Sequence, residues 1–208
     1  MIAQKEYSQK VQARIRAERM AVDIIACVHE LFYDRSVEIV MFRNTLIDCK
    51  ASEILELHQY AKEVVGKTIN VDDTLEMLST LKKTAIENAK LDIGRLTFEW
   101  VNTEQAAEEF IVNQLSSFFG SRKTEARDVV LFGFGRIGRL LARELIAQEG
   151  SGRQLRLRAI AVRSIDVQSL HKRASLLKID SVHGTFPGTV SVDEKKLALI
   201  INGRPIYF

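Results

Sequence analysis

Residues 133–138 carry a complete G-x-G-x-x-G pattern, hereafter the fingerprint, which is the arrangement in this sequence best suited to holding a ligand. The fingerprint consists of Gly133, Phe134, Gly135, Arg136, Ile137 and Gly138. Gly133 would permit a tight turn, Gly135 would let the backbone approach a pyrophosphate, and Gly138 would let a helix pack closely on a sheet. The free N–H groups at the start of that helix attract phosphates. The fingerprint therefore predicts a dinucleotide-binding site.

The elements around the fingerprint are those that such a site requires. Residues 129–132 form a short apolar run, which predicts a buried strand directly before the first glycine. Apolar residues then recur at helical spacing with no proline among them: Ile137, Leu140, Leu141, Leu145 and Ile146. Further strands are predicted at residues 155–162, 189–192, 197–201 and 205–208, with Asn202 and Gly203 as a two-residue hairpin turn.

Three segments resemble the glyceraldehyde-3-phosphate dehydrogenase family and follow one another in that family's order. Residues 133–139 resemble the family's first strand-to-helix turn, residues 180–184 its D-S-x-H-G segment, and residues 201–206 its I-N-G-x-x-I hairpin. The resemblance covers about residues 127–208. It implies that this part is an α/β Rossmann-type domain that binds NAD or NADP and is truncated at its C-terminal end. Residues 1–120 would then be a helical N-terminal extension, similar in layout to that of longer bacterial members.

Two positions depart from the family's pattern. Phe132 stands where the family usually has asparagine, so a polar contact made by that side chain is not carried over. Arg163 and Ser164 stand where the family commonly has asparagine and an aspartate that binds the adenosine ribose hydroxyls. A hydroxyl beside a guanidinium can hydrogen-bond a 2′-phosphate, whereas a carboxylate would repel it. We therefore expect Arg163 and Ser164 to join the fingerprint in the cofactor site and NADP to be accepted.

Alternatives to this interpretation stay open. Asp166 lies two residues beyond Ser164 and could reach a ribose hydroxyl, so NAD is not excluded. Arg163 could instead be a solvated charge at a strand end, because arginines also alternate along the strand before it. We interpret His183 as a loop histidine hydrogen-bonded to backbone and assign it no catalytic role.

The residues needed for the family's chemistry are missing. Members of the family use a nucleophilic cysteine in an S-C-T-T-N segment, which this sequence lacks. Cys27 and Cys49 lie among helix-forming residues before the fingerprint, so no catalytic residue is assigned. We expect an amino-terminal portion of an oxidoreductase, inactive alone. The resemblance implies that the intact protein, expected to be a homo-oligomer, oxidises glyceraldehyde 3-phosphate to 1,3-bisphosphoglycerate with NAD(P). The alternatives are an erythrose-4-phosphate dehydrogenase relative and a non-catalytic regulatory or interaction module with a vestigial Rossmann part.

Residues 1–120 show helical periodicity and no convincing strand. The predicted helices are a long first one, a second capped by Asp34 and containing Val37, Val40, Met41 and Ile47, a third capped by Ser52 and ending at Gly66, a fourth opened by Asp72 or Asp73, and a fifth opened by Asn102 or Thr103. Short connections between them favour an antiparallel bundle. The polar residues 121–126 are the predicted linker to a second domain, residues 127–208.

Charge and composition narrow the class of protein further. Residues 1–120 carry 14 Lys and Arg against 19 Asp and Glu, whereas residues 121–208 carry 16 against 8, so the second half suits an anionic ligand. Nucleic acid is not favoured as that ligand because the arginines are scattered without interleaved aromatics. No apolar run is long enough to span a membrane, and no spacing is typical of a metal site. The two cysteines and the absence of a secretory signal at the N-terminus favour the cytoplasm.

Overall fold

A computed structural model describes residues 2–119, 125–150 and 155–208 of the chain. The chain divides into two compact units, Met1–Lys123 and Thr124–Phe208. The linker predicted at residues 121–126 falls mostly outside the described residues. Each unit has its own hydrophobic core.

The first unit is mainly helical, as predicted, and also contains a small sheet. Its elements are α1 (Ile2–Arg35), β1 (Glu38–Met41), β2 (Asn44–Thr45), α2 (Ala51–Tyr60), α3 (Val71–Lys83), β3 (Lys90–Asp92), α4 (Ile93–Val101) and α5 (Ala107–Leu115). A π-helical turn, Ala61–Val65, continues α2. It ends at Gly66 in the left-handed conformation with φ 72°, so the predicted stop at this glycine is confirmed.

The second predicted helix of this unit is wrong, because its residues form β1 and β2. β1 pairs with β2 in antiparallel fashion and with β3 in parallel. Val37, Val40 and Met41 are buried at this sheet, with at most 6% of their surface exposed. Apolar residues in so short a run fit a buried strand as well as a helix, and periodicity alone does not separate the two.

The helix boundaries predicted in this unit also need correction. Lys50, not Ser52, is the N-cap of α2, and Asn70 precedes the first turn of α3, which contains Asp72 and Asp73. α4 was not predicted at all. Its second residue, Gly94, disfavours a helix, yet a Cβ there would lie 2.8 Å from the ring of Phe42, so tight packing explains the glycine.

His58 connects α2 to α3 inside the first unit. Its Nδ1 lies 2.8 Å from the carbonyl oxygen of Ile54, and its Nε2 lies 2.9 Å from the hydroxyl of Thr74. Both His58 and Thr74 are buried. Because the carbonyl can only accept a hydrogen bond, Nδ1 carries the proton, and the neutral ring accepts at Nε2 from the hydroxyl. Burial lowers the pKa of His58 below its usual value and so favours this neutral form.

The second unit has the predicted Rossmann-type α/β arrangement. Its elements are β4 (Arg127–Phe132), α6 (Arg136–Gln148), β5 (Leu155–Ala161), α7 (Val167–Lys178), β6 (Ile179–Asp180), β7 (Gly184–Thr185), β8 (Val190–Asp193), β9 (Ala198–Ile201) and β10 (Arg204–Tyr207). The main sheet has the order β4-β5-β10-β9-β8, with β4, β5 and β10 parallel. Asn202 and Gly203, with φ 48° and 79°, form the predicted hairpin turn between β9 and β10.

The two faces of this sheet have different surroundings. Buried residues such as Leu157, Ile160 and Ile206 share a core with residues of α6 and α7. On β4, alternate residues point away from that core, so Val130 and Phe132 are 62% and 95% exposed. β4 is also an edge strand of the described sheet. The carboxyl end of β4 therefore leads into the fingerprint beside an open edge.

Candidate functional site

The first fingerprint glycine makes the turn that leaves β4. The N–H of Gly133 donates to the carbonyl oxygen of Ala161 at 2.8 Å, which fixes the turn to the end of β5. Gly133 has φ +90°, a conformation that a residue with a side chain rarely adopts. The role predicted for this glycine, a tight turn, thus agrees with its backbone conformation.

The second fingerprint glycine is the N-cap of α6. The first turn of the helix closes with a hydrogen bond of 3.0 Å from the N–H of Arg139 to the carbonyl oxygen of Gly135. The N–H groups of the residues before Arg139 therefore lie at the open end of the helix. No heavy atom lies within 4 Å of an ideal Cβ built on Gly135. The first turn of α6 carries no acidic residue, so the positive end of the helix dipole is available to an anion.

The third fingerprint glycine lets α6 approach the turn. An ideal Cβ on Gly138 would lie 2.4 Å from the carbonyl oxygen of Gly133. One turn further along, Ala142 is fully buried in the core of the second unit, and Ile146 is 8% exposed. This glycine therefore sets the distance between the start of α6 and the end of β4.

A surface pocket of about 410 Å³ lies at the fingerprint. It is lined by Leu131, Phe132, Gly133, Gly135, Arg136, Ile137, Gly138 and Leu141. The structure thus brings together five of the six predicted fingerprint residues. The phenyl ring of the sixth, Phe134, is 5% exposed and lies in the core, edge-on to Phe208 at 5.4 Å between ring centroids. Any contact of Phe134 with a ligand in the pocket would therefore involve its backbone.

Sequence reasoning did not assign Leu131, Phe132 or Leu141 to the site. Leu141 stands four residues after Ile137, and that helical spacing puts both side chains on one face of α6. Ile137 and Leu141 are 75% and 49% exposed, so this face of α6 does not belong to the core. Helical spacing could have identified Leu141 as a neighbour of the site, but the sequence carries no signal that these apolar residues are exposed.

Arg163 and Ser164 are exposed beyond the end of β5 and do not line the pocket. Asp166, the alternative ribose ligand, is the N-cap of α7. Its carboxylate accepts a hydrogen bond of 2.7 Å from the N–H of Ser169, while the hydroxyl of Ser169 accepts one from the N–H of Asp166. One carboxylate oxygen of Asp166 is thus already committed to the start of α7, whereas Arg163 and Ser164 are accessible to a ligand.

Asp180 holds the turn that contains His183. Its carboxylate accepts hydrogen bonds from the N–H groups of Val182 and His183, each at 3.0 Å, and lies 3.1 Å from Nδ1 of His183. The two backbone bonds are the main reason that the pKa of Asp180 lies far below its usual value. The side chain of His183 therefore contacts a carboxylate, so the predicted hydrogen bond to backbone is wrong, and the absence of a catalytic role stays a prediction.

Neither cysteine has the surroundings of a nucleophile. Cys27 is 7% exposed within α1, and burial raises the pKa of its thiol. Cys49 donates to the carbonyl oxygen of Thr45 at 3.3 Å, and burial together with the charges of Glu53 and Asp48 raises its pKa. Both thiols thus resist conversion to the reactive thiolate.

The described parts of the chain offer neither a membrane-spanning helix nor a cluster of metal ligands. None of the helices there is both long enough and apolar enough to cross a membrane. Nor do three or more His, Cys, Asp or Glu side chains come together there as a metal site would require.

Comparison with known proteins shows which family model and which relatives this chain resembles. Residues 127–208 match the family model described as glyceraldehyde 3-phosphate dehydrogenase, NAD binding domain. The chain is 36% identical over 190 residues to a glyceraldehyde-3-phosphate dehydrogenase-like protein of Pseudomonas aeruginosa (strain UCBPP-PA14), which covers 88% of this chain and 41% of that protein. It is 41% identical over 78 residues to the glyceraldehyde-3-phosphate dehydrogenase of Zymomonas mobilis, covering 38% of this chain and 21% of that protein. For the enzyme of Monascus purpureus the identity is 42% over 76 residues, covering 36% of this chain and 20% of that protein.

The lengths of these alignments differ, and they indicate which relatives share the first unit and which match only a length close to that of the second. An alignment that covers 88% of this chain necessarily includes much of the first unit, so the helical unit is shared with the Pseudomonas protein. The alignments of 78 and 76 residues are close to the size of the second unit. The chain spans at most about two fifths of the length of these relatives.

Proposed function

We propose, since residues 127–208 belong to the glyceraldehyde-3-phosphate dehydrogenase family of NAD-binding domains, that the fingerprint pocket of this chain holds a nicotinamide dinucleotide. The backbone N–H groups at the start of α6 would bind its pyrophosphate. Gly133, Gly135 and Gly138 shape the turn, and Arg136 adds a positive charge at the pocket wall. Phe134 supports the turn from the core.

The observation that carries this proposal is the open space in front of Gly135, at the start of a helix that approaches the Gly133 turn closely. The 2.4 Å separation at Gly138 leaves no room for a side chain, whereas Gly135 faces open space. Packing therefore requires a glycine at position 138, but it does not require one at position 135. Gly135 is also the N-cap of α6, where glycine is favoured, and an approaching pyrophosphate would supply a second reason for a residue without a side chain there.

We propose that Arg163 and Ser164 contact the adenosine ribose of the cofactor. Both follow β5 and are exposed, as a residue that contacts the ribose must be. A guanidinium and a hydroxyl favour a 2′-phosphate, so we propose that NADP is accepted beside NAD. The engagement of Asp166 in the cap of α7 supports Ser164 over Asp166 in this role.

The reaction of the whole protein is proposed from the names of the relatives. Two of them are glyceraldehyde-3-phosphate dehydrogenases, so the proposed reaction is phosphorylating oxidation of glyceraldehyde 3-phosphate to 1,3-bisphosphoglycerate. The nicotinamide cofactor would accept the hydride in that reaction. In this chain neither cysteine can be assigned the nucleophile, and the fingerprint residues bind, orient and neutralise charge on the cofactor. Oxidation of erythrose 4-phosphate is the alternative reaction, because the same motifs would bind cofactor there.

The remaining proposals concern the location, oligomeric state, partners and domain organisation of the protein. We propose a cytoplasmic protein whose full-length form is a homo-oligomer and which does not act on nucleic acid. We also propose that residues 1–120 and 127–208 are separable domains. The second proposal is a non-catalytic regulatory or interaction module in which the Rossmann part is vestigial and the helical unit, which the Pseudomonas protein shares, binds a partner.

Calorimetric titration of the purified 208-residue chain with NAD and with NADP tests the proposed function. We expect saturable binding of at least one dinucleotide. Gly135→Val should abolish binding without unfolding the chain, because no atom of the protein lies within 4 Å of the new Cβ. The chain should not reduce NAD with glyceraldehyde 3-phosphate and phosphate, since Cys27 and Cys49 are poor nucleophiles. Absence of binding with both dinucleotides would overturn the proposal.

A further inference from the structure

The first half of α1 extends beyond the core of its unit. Among the described residues, α1 contributes side chains to that core only from Ala21 onward. The side chains of residues 4–20 are mostly exposed, and the remaining few are only partly buried. The ion pairs of this part are all exposed: Lys10–Glu6, Arg14–Glu18 and Arg16–Asp72. Exposed pairs stabilise a helix only weakly, because most helical stability in proteins comes from the packing of an apolar face.

A second apolar face runs along α1, beside the one that packs on the core. Its members follow one another at intervals of three or four residues, which places them on one side of the helix. We call this face the α1 stripe; it consists of Tyr7, Val11, Ile15, Glu18, Val22, Ile25, His29 and Tyr33. Tyr7, Val22 and Tyr33 are 70%, 56% and 51% exposed, so the stripe stays accessible along both halves of α1.

The α1 stripe is complementary to itself when its direction is reversed. Two copies of α1 can lie antiparallel, related by a two-fold axis that passes beside Glu18. The stripe residues that then face each other across the two copies are Ile15 and Val22, Val11 and Ile25, and Tyr7 and His29. Such a symmetric contact uses the same patch on both copies. A segment of different sequence would have no reason to match this reversal, so the pattern favours a second copy of the chain as the partner.

The charges of α1 favour the same antiparallel arrangement. Residues 2–19 contain five basic and two acidic side chains, whereas residues 20–35 contain three acidic and one basic. An antiparallel pair places the basic half of each helix beside the acidic half of the other, whereas a parallel pair would place like charges together. Glu18 would face its own copy at the axis. Its carboxylate accepts a hydrogen bond of 2.7 Å from Nε of Arg14, which reduces the repulsion between the two copies.

The length of the α1 stripe is sufficient for a stable contact. The overlap of two antiparallel copies, centred on Glu18, covers about 30 residues, or about 45 Å of helix. A strip of that length and about 10 Å wide on each copy amounts to about 900 Å² in total before the relief of the side chains is counted. A specific interface should bury about 1,000 Å² or more. The pairing of α1 with α1 is therefore of the size that a dimer needs.

We infer that the α1 stripe is a dimerisation surface, on which α1 of a second copy of this chain packs in the antiparallel direction. This interface assigns a surface to the homo-oligomer proposed above. It does not depend on dinucleotide binding, because every residue that forms it lies in the first unit.

Sedimentation equilibrium of the 208-residue chain measures its oligomeric state. We expect a reversible dimer for the wild type. Ile15→Glu should raise the dissociation constant of the dimer at least about a hundredfold, because it places a charge on each copy inside the contact. Ala13→Glu is the matched control: Ala13 is exposed and lies on the opposite side of the same helix turn, so the same added charge should change the dissociation constant little.

Cross-linking between engineered cysteines tests the direction of the pair. Under mild oxidation Glu18→Cys should form a disulfide with its own copy, because position 18 lies at the two-fold axis. Tyr7→Cys should not, since the two copies of position 7 would lie about 33 Å apart along the helices. The wild type gives the background from Cys27, which is buried, and from Cys49.

Each outcome decides a part of the inference. A monomeric wild type would overturn it and leave the dinucleotide site untouched, because calorimetry measures that site separately. A dimer that Ile15→Glu does not weaken, or that Ala13→Glu weakens equally, would place the contact elsewhere. Disulfide formation in Tyr7→Cys as rapid as in Glu18→Cys would overturn the antiparallel direction. Thermal unfolding followed by circular dichroism checks that each variant keeps the core of the first unit.

Discussion

Replacing Gly138 with alanine tests whether the approach of α6 to the turn holds the second unit together. The new Cβ would lie 2.4 Å from the carbonyl oxygen of Gly133 and 3.2 Å from its carbonyl carbon. Both are backbone atoms, so no side chain can rotate away to relieve the contact. The helix or the turn would have to move by about 1 Å to restore ordinary van der Waals separation.

The cost of this movement follows from two opposing effects. Forcing an extra methyl group into a well-packed contact costs about 1–3 kcal/mol. Alanine regains about 1 kcal/mol because it is a better helix former than glycine. We therefore expect Gly138→Ala to lower the free energy of unfolding of the second unit by up to about 2 kcal/mol. Dinucleotide affinity should fall as well, because the displaced α6 carries its N–H groups away from the phosphates.

Gly135→Ala is the matched control within the same turn. Its Cβ meets no atom within 4 Å, and Gly135 has φ −72°, which alanine adopts without strain. The stability loss should stay near about 0.5–1 kcal/mol, since alanine is a poorer N-cap than glycine. Binding should nevertheless be lost, because the methyl group occupies the space that the pyrophosphate needs. The two variants thus separate folding from binding.

Hydrogen exchange of the amides of β4 and β5, resolved by mass spectrometry, measures the stability of the second unit. Fluorescence does not serve, because the single tryptophan, Trp100, lies in the first unit. Calorimetry gives the affinities. A Gly138→Ala variant as stable as the wild type, with unchanged dinucleotide affinity, would refute the argument that backbone contact places α6.

Three further predictions concern cofactor choice, the dependence of stability on pH, and proteolysis. Ser164→Asp should favour NAD over NADP, because a carboxylate accepts hydrogen bonds from the ribose hydroxyls and repels a 2′-phosphate; Arg163→Ala should lower NADP affinity about tenfold to a hundredfold. The first unit should lose stability as the pH falls below about 6.5. Burial lowers the pKa of His58 in the folded state, so the unfolded chain binds more protons in that range. Limited proteolysis should cleave first within residues 121–126, the polar segment where the helical pattern ends.

Each of these outcomes has a check. Asp166→Ala serves as the control for the cofactor variants, because loss of NAD affinity there, with Ser164→Asp silent, would place Asp166 at the ribose. His58→Gln should flatten the dependence of stability on pH between about 5 and 6.5. A slope unchanged in that variant would assign the proton uptake to another group. Primary cleavage inside residues 50–110 would contradict separable domains.

Long-range pairing explains where prediction from sequence failed in the first unit. β1 and β3 are about 50 residues apart in the chain, with Ile39 opposite Leu91. No local pattern reports that partner, so the buried run at Val37–Met41 was assigned to a helix. The missed α4 has the same origin, since the glycine that weakens it locally is explained by contact with Phe42 from the distant hairpin.

The fingerprint could be identified from the sequence alone because its requirements are local. Residues 133–138 themselves contain the glycines that these requirements call for. One glycine permits a turn with φ +90°, and the others permit a close backbone approach at the start of the helix. The tertiary structure alone decided which apolar residues remain exposed. Phe132 and Leu157 are both apolar residues of predicted strands. Phe132 is 95% exposed and Leu157 is 2% exposed, because burial depends on which face of the sheet the helices cover. That dependence on distant elements is why the wall of the pocket appears only in the folded protein.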